Sequence, residues 1–154
     1  MSESLAWVVG VHHPLTRRAV RLEDLAATPH VVIARARSVA GEGAPGDAAL
    51  VMRSSWESFG ELETQLQALG LRRRIGLIVP DTYPALSVVS RSDMTALIPR
   101  RLALTCEQQG IVRIIEPPLA SPPVNLSLLY LRERLSDPAI VWMRDLLHEV
   151  ARKA

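Results

Sequence analysis

The chain has 154 residues, 48% of them apolar and 22% charged. That is the length of about one globular domain, with enough aliphatic surface to build a core. The formal charge is only +2, from 18 basic and 16 acidic residues, and Lys153 is the one lysine. The arginines are scattered rather than gathered in a stripe, which argues against a nucleic-acid-binding face. A single cysteine, Cys106, excludes an intrachain disulfide framework. No apolar run reaches the ~18 residues that span a bilayer, and the opening residues show no signal-peptide pattern, so a cytoplasmic setting is expected.

Taken in chain order, residues 5–11 read as a strand, broken by His12, His13 and Pro14. A short helix is predicted at 22–27 and a buried parallel strand at 30–34. Residues 35–55 carry Gly41, Gly43, Pro45 and Gly46 and read as a loop, with a short strand or helical turn at 48–52. Ser55 is placed as the N-cap of a helix over 56–69. Phe59, Leu62, Leu66 and Leu69 recur there at helical spacing, and Gly70 ends it.

A strand over 74–79, a helix over about 84–90 and a strand over 94–98 follow. A helix over 99–107 has Pro99 in its first turn, and Gly110 separates it from a strand over 111–115. Pro117, Pro118, Pro122 and Pro123 bracket an extended linker before a strand predicted over 124–131. Asp137 and Pro138 form a cap-then-proline helix start. The last helix runs to about Arg152, with Ile140, Met143, Leu147 and Val150 on one face and Leu146 beside it. Strands alternate with helices, so the fold class is α/β, a mainly parallel sheet flanked by helices.

No phosphate loop, dinucleotide fingerprint, zinc-binding HExxH or nucleophile elbow is present. His12 and His13 are adjacent and point to opposite faces of any strand, so the pair does not suit a shared metal. His30 opens a buried strand and reads as a hydrogen-bonded structural residue. Cys106 reads as a small core hydrophobe. Trp7, Trp56 and Trp142 read as packing residues, and Arg72, Arg73 and Arg74 as a solvated corner between helix and strand. No catalytic residue, metal site or cofactor site is assigned. The strand ending at Val79 turns through Pro80, Asp81, Thr82, Tyr83 and Pro84 into a helix. Ligands of open α/β sheets bind beyond the carboxyl ends of strands, and a helix start there suits an anion. The plainer alternative is that Asp81 or Thr82 only caps the helix. Both stay open from the residues alone.

Five stretches in order resemble the effector-binding domain of LysR-type transcriptional regulators. These are His13, Pro14 and Leu15 with 22–27 and 29–33; 69–75 leading to Val79 and Pro80; 92–103, from Ser92 through Pro99 to Ala103; the apolar run ending at Arg132; and 137–147. The resemblance implies a fold like type 2 periplasmic binding proteins, two α/β subdomains joined by two crossovers. It implies that residues 1–15 are a crossover strand and 16–116 the second subdomain, with 117–154 returning as linker, strand and last helix of the first. The helix-turn-helix that binds DNA, and most of the first subdomain, are not in this sequence.

By the same resemblance the partner is a small-molecule effector, with a carboxylate or aromatic acid as the leading class. Ala34, Arg35, Asp81, Thr82 and Tyr83 are the implied contacts, and Ser92 and Asp93 line the floor of the cleft. No enzyme activity is expected. A small α/β enzyme or a transport-type solute-binding protein using the same cleft is the alternative. The last strand and helix lack the neighbours they pack on in the family, so a homodimer or swapped oligomer is expected.

Overall fold

The computed structural model describes residues 2–34, 59–119, 123–125, 128, 131–134 and 136–153. The elements are β1 (Ser2–Glu3), β2 (Leu5–Gly10), a 3-10 turn (Pro14–Arg17), α1 (Leu22–Ala27), β3 (Pro29–Ile33), α2 (Phe59–Ala68), β4 (Arg74–Val79) and α3 (Thr82–Val89). They continue with β5 (Thr95–Pro99), α4 (Arg100–Gln108), β6 (Val112–Ile115), β7 (Val124–Asn125), a second 3-10 turn (Arg132–Arg134) and α5 (Pro138–Lys153).

The main sheet has five strands in the order β4-β3-β5-β2-β6. β3 is parallel to β4 and β5, while β2 is antiparallel to β5 and β6. Four strands therefore point one way and β2 alone runs against them, so the sheet is mainly parallel as expected.

Two-residue alternation sorts the strands onto two cores. Ala6, Val8, Val31, Ile33, Val79, Ala96, Ile98 and Val112 face Ala85, Leu86 and Val89 of α3 and Ala103 and Cys106 of α4. Leu5, Trp7, Val9, Leu97 and Ile115 face the other way, onto Leu15, Val20 and Leu25. Cys106 is a buried core residue, and burial pushes its thiol pKa up, away from the reactive thiolate. Gly10 is required by packing: a Cβ there meets the Val89 carbonyl oxygen at 2.9 Å.

His30 is fully buried, as its position implied. Its Nε2 lies 2.8 Å from the Leu25 carbonyl, and its Nδ1 accepts from Arg73 Nε at 2.7 Å. The neutral ring with its proton on Nε2 satisfies both bonds. The ring meets Trp7 edge-on at 5.2 Å, and the Arg73 guanidinium lies 5.8 Å from the same indole. Arg73 is thus no solvated corner: it binds the start of β4 to the buried start of β3. The Trp7 Nε1 is buried without a hydrogen-bond partner among the described residues.

Several boundaries differ from the predicted ones. α3 begins at Thr82 rather than Pro84, because Asp81 caps it. Asp24 closes the start of α1, its Oδ2 accepting the Arg21 N–H at 3.0 Å. Of the strand predicted over 124–131, the described residues show β7, with Leu128 and Leu131 in no strand, and residues 126, 127, 129 and 130 lie outside the described residues. Among the described residues β7 pairs with β1, in a separate two-stranded ladder. Ser55, Trp56 and the segment 48–52 lie outside the described residues.

α5 forms as predicted, but its apolar face is uncovered. Met143, Leu146, Leu147 and Val150 are exposed, and so is Trp142, which is not the packing residue its type suggested. No helix among the described residues is long and apolar enough to cross a membrane.

Candidate functional site

The sheet topology brings one set of chain ends together. The carboxyl ends of β3, β4, β5 and β6 share an edge with the amino end of β2, where Leu5 pairs with Pro99. Ala34 donates its N–H to the Val79 carbonyl at 2.9 Å, which sets the end of β3 beside the end of β4. Asp81 follows directly, and α3 starts at the same edge. α4 starts there too, from the end of β5.

The first turn of α3 is closed from within. Asp81 Oδ1 accepts the Tyr83 N–H at 2.9 Å. Pro84 has no N–H, so Thr82 holds the one remaining donor of that turn. The Asp81 carboxylate also opposes a second negative charge. Of the two readings left open by the residues, the structure supports the cap. Asp81→Ala is therefore expected to cost about 1 kcal/mol of stability, read as a lower denaturation midpoint, while Tyr83→Phe leaves the midpoint unchanged. Thr82 is half-buried, and Tyr83 presents its ring to solvent at 76% exposure.

The start of α4 is also occupied by the protein itself. The Arg100 N–H goes to the Ser4 carbonyl at 2.8 Å, and the Arg101 N–H to Glu3 Oε1 at 3.1 Å. Glu3 is buried, and its Oε2 lies 3.3 Å from Arg101 Nε. Arg100 Nη2 pairs with Glu116 Oε1 at 2.6 Å. Glu3 and Glu116 thus hold the two arginines at the points where the chain enters and leaves this sheet. None of these four residues was singled out from the sequence. The adjacent Arg100 and Arg101 behind Pro99 were the available signal, read only as a helix start.

Ala34, Asp81, Thr82 and Tyr83 are brought together at the edge, and Arg35 lies outside the described residues. Ser92 and Asp93 are not brought to it. They precede β5, whose first residue, Thr95, pairs with His30 at the opposite end of the sheet. The Ser92 hydroxyl instead donates to the Val88 carbonyl at 2.8 Å, closing the far end of α3. A floor of the cleft at these two residues does not follow from the topology. A separate groove of about 580 Å³ lies beside β6, lined by Leu15, Arg18, Val20, Arg113, Ile115 and Glu116. His13 is used locally, its Nδ1 accepting the Leu15 N–H at 3.1 Å. No group of three or more metal-ligating side chains occurs among the described residues.

The strand ends, the helix starts and the entering and leaving chain of this α/β lobe thus gather at one edge. A family model described as the LysR substrate binding domain matches residues 1–152, and the chain belongs to that family. It is 28% identical over 139 residues to the HTH-type transcriptional activator NahR of Pseudomonas putida, covering 90% of this chain and 40% of NahR. The chain thus spans less than half the length of that relative. The regulatory domain of MexT, a transcriptional activator in Pseudomonas aeruginosa, superposes with a TM-score of 0.67 at 21% identity, covering 94% of this chain and 62% of that one. The effector-binding domain of QuiR in complex with shikimate superposes with a TM-score of 0.51 at 14% identity, covering 79% and 48%. At these identities the two structures establish the shared fold.

Proposed function

We propose that this chain is the effector-sensing part of a LysR-type transcriptional regulator, and that it regulates rather than catalyses. The supporting observation is the convergence of the ends of β3, β4 and β5 with the entering and leaving chain at one edge. A ligand seated there touches the lobe and its exits together, so binding can bias how this lobe is poised. Ala34, Thr82 and Tyr83 face the ligand from this side, Arg35 is assigned to it as the residue after Ala34 in the sequence, and Asp81 orients α3. The facing lobe corresponds to sequence that the relatives have and this chain does not span. The division into residues 1–15, 16–116 and 117–154 belongs to the same reading, as do DNA recognition through a separate helix-turn-helix and a cytoplasmic setting. The uncovered face of α5 supports a homodimer or swapped oligomer.

The effector class is a small organic acid, its carboxylate held away from the Asp81-capped start of α3. QuiR, a protein of the same fold, is complexed with shikimate, a carboxylic acid. Thermal unfolding against benzoate, shikimate and short aliphatic acids tests this. A ligand that binds only the folded chain raises the midpoint saturably by mass action. The expected result is such a rise with an acid and none with its neutral amide. Thr82→Ala and Tyr83→Phe should weaken the response by about tenfold. A flat midpoint across the panel, or a response indifferent to both substitutions, rejects the assigned site.

A further inference from the structure

The groove beside β6 lies apart from the site given to the effector. β4 and β6 are the two edges of the five-stranded sheet, four strand spacings or about 19 Å apart. Along β6, Val112 and Ile114 face the α4 core, while Arg113 and Ile115 face the other side, toward Leu15 and Val20. The groove's volume of about 580 Å³ is that of a small-molecule site. Leu15, Val20 and Ile115 are only 5%, 7% and 4% exposed, so its apolar floor is already filled by the protein's own core. What a ligand meets is chiefly the polar rim of Thr16, Arg18, Arg113 and Glu116. Arg18 is bound end-on by Asp24, Nη1 to Oδ2 at 2.6 Å and Nη2 to Oδ1 at 2.7 Å, which offsets its charge. Glu116 Oε1 accepts from Arg100 Nη2 at 2.6 Å, which offsets that charge too and leaves Oε2 as an acceptor. The Arg113 guanidinium is exposed and has no partner among the described residues, so it is the uncompensated cation of the groove. The Thr16 hydroxyl donates to the His13 carbonyl at 2.7 Å, so it has only lone pairs left to offer.

We propose that this groove is a second ligand site, and that it takes a small anion with a hydroxylated body, such as a sugar phosphate or a polyhydroxy acid. The anionic group sits on Arg113, whose planar fork matches two oxygens of one phosphate or carboxylate. The body's hydroxyl groups donate to Thr16 and Glu116. Neither of those side chains has a proton to give, so each calls for a donor on the ligand. A plain aromatic acid brings no such donor and finds no open apolar slot, which separates this ligand from an aromatic acid at the effector edge. The backbone of β6 does not compete for the ligand, because the Ile114 N–H is taken on the opposite face by Glu107 Oε1 at 2.9 Å.

Amide NMR of the whole chain, titrated separately with glucose 6-phosphate, gluconate, glucose and inorganic phosphate, tests the proposal. The expected result is saturable shifts at the amides of Ala19, Arg113 and Glu116 with glucose 6-phosphate or gluconate, and none with glucose. Which of the two binds tells a phosphate head from a carboxylate. Arg113→Gln should weaken that binding about tenfold, and Arg113→Lys, which keeps the charge but not the fork, should fall between. Arg113 is exposed on an edge strand, and the spectrum of each variant confirms that it folds. No saturable shift with either hydroxylated anion overturns the proposal, and so does binding that both Arg113 variants leave intact. Inorganic phosphate that binds as tightly as glucose 6-phosphate also overturns it, reducing the groove to an adventitious ion only. Saturable shifts confined to Ala34, Thr82 and Tyr83 assign the ligand to the effector edge instead and overturn it as well. None of these failures touches the response to benzoate or shikimate, which tests the effector edge separately.

Discussion

Lowering the pH from neutral to about 4 is expected to remove about 3 kcal/mol of folding stability through His30 alone. Burial holds the His30 pKa at about 4, against an ordinary 6.5, and the nearby Arg73 charge adds to the depression. The Leu25 carbonyl acts the other way, and it is outweighed. The folded-state pKa lies below that of the unfolded chain, so the unfolded chain takes up the proton first. The stabilisation is complete above pH 6.5, declines as the pH falls below that, and is gone once the pH passes below about 4.

Protonation also breaks a specific contact, because Nδ1 can no longer accept from Arg73 Nε. Urea unfolding at a series of pH values, run beside His30→Gln, isolates the contribution. The glutamine can still donate to Leu25 and accept from Arg73, and it does not titrate. The wild-type curve should fall toward the variant's between pH 6.5 and 4, and parallel curves would remove His30 from the account. Asp24, held well below the usual carboxylate range by Arg18 and Arg21, loses its contribution only at still lower pH and is common to both proteins.

The parts of this molecule legible in the sequence are those decided locally. Continuous apolar runs such as 5–9 and 31–33 fit strands buried on both faces, and β2 and β3 lie within a residue of their predicted ends. Helix α1 is fixed by its own cap and matches the reading at both ends. Pro84 misled because proline was taken for the first helical residue. It is the third, and its missing N–H is harmless anywhere in the first turn.

The misreadings have a common origin in distance along the chain. Arg73 is one of three consecutive arginines, and its engagement with His30 spans 43 residues. Glu3 looks like part of a polar terminus until α4, 98 residues later, delivers the Arg101 N–H to it. The apolar run 124–131 has strand composition, but a strand needs a neighbour, and among the described residues of the run that neighbour is β1, reached by Val124 and Asn125. For the candidate site, the fold brings Ala34 and Asp81 to Tyr83, far apart along the chain, to one edge. It leaves Ser92 and Asp93 at the other end, because α3 carries the chain back there before β5 begins.

Glu3→Ala is expected to cost about 2 kcal/mol, combining the loss of a helix cap with that of a charge-assisted contact. The carboxylate is 5% exposed and serves two groups of Arg101, the backbone N–H at 3.1 Å and Nε at 3.3 Å. The Arg101 side chain is 44% exposed and can turn to water once its partner is gone, which keeps the cost below that of a fully buried pair. Glu3→Gln retains an acceptor for the N–H and gives up only the charge, so it should cost less than half as much.

The location gives the substitution its functional interest. β1 carries Glu3 and pairs with β7, so this ladder is where the chain enters the lobe and where it returns after β6. Ser4 accepts from Arg100 one residue further on, and Arg100 in turn pairs with Glu116, so both exits are tied to the first residues of α4. Loosening Glu3 should therefore free the exits while the lobe's interior holds. Hydrogen exchange distinguishes this from general destabilisation: in Glu3→Ala the amides of Glu3, Asn125, Arg100 and Arg101 should exchange faster, and those of Val31, Val32 and Ile98 should not. Uniform acceleration across both sets would mean that Glu3 stabilises the lobe as a whole rather than fastening its exits.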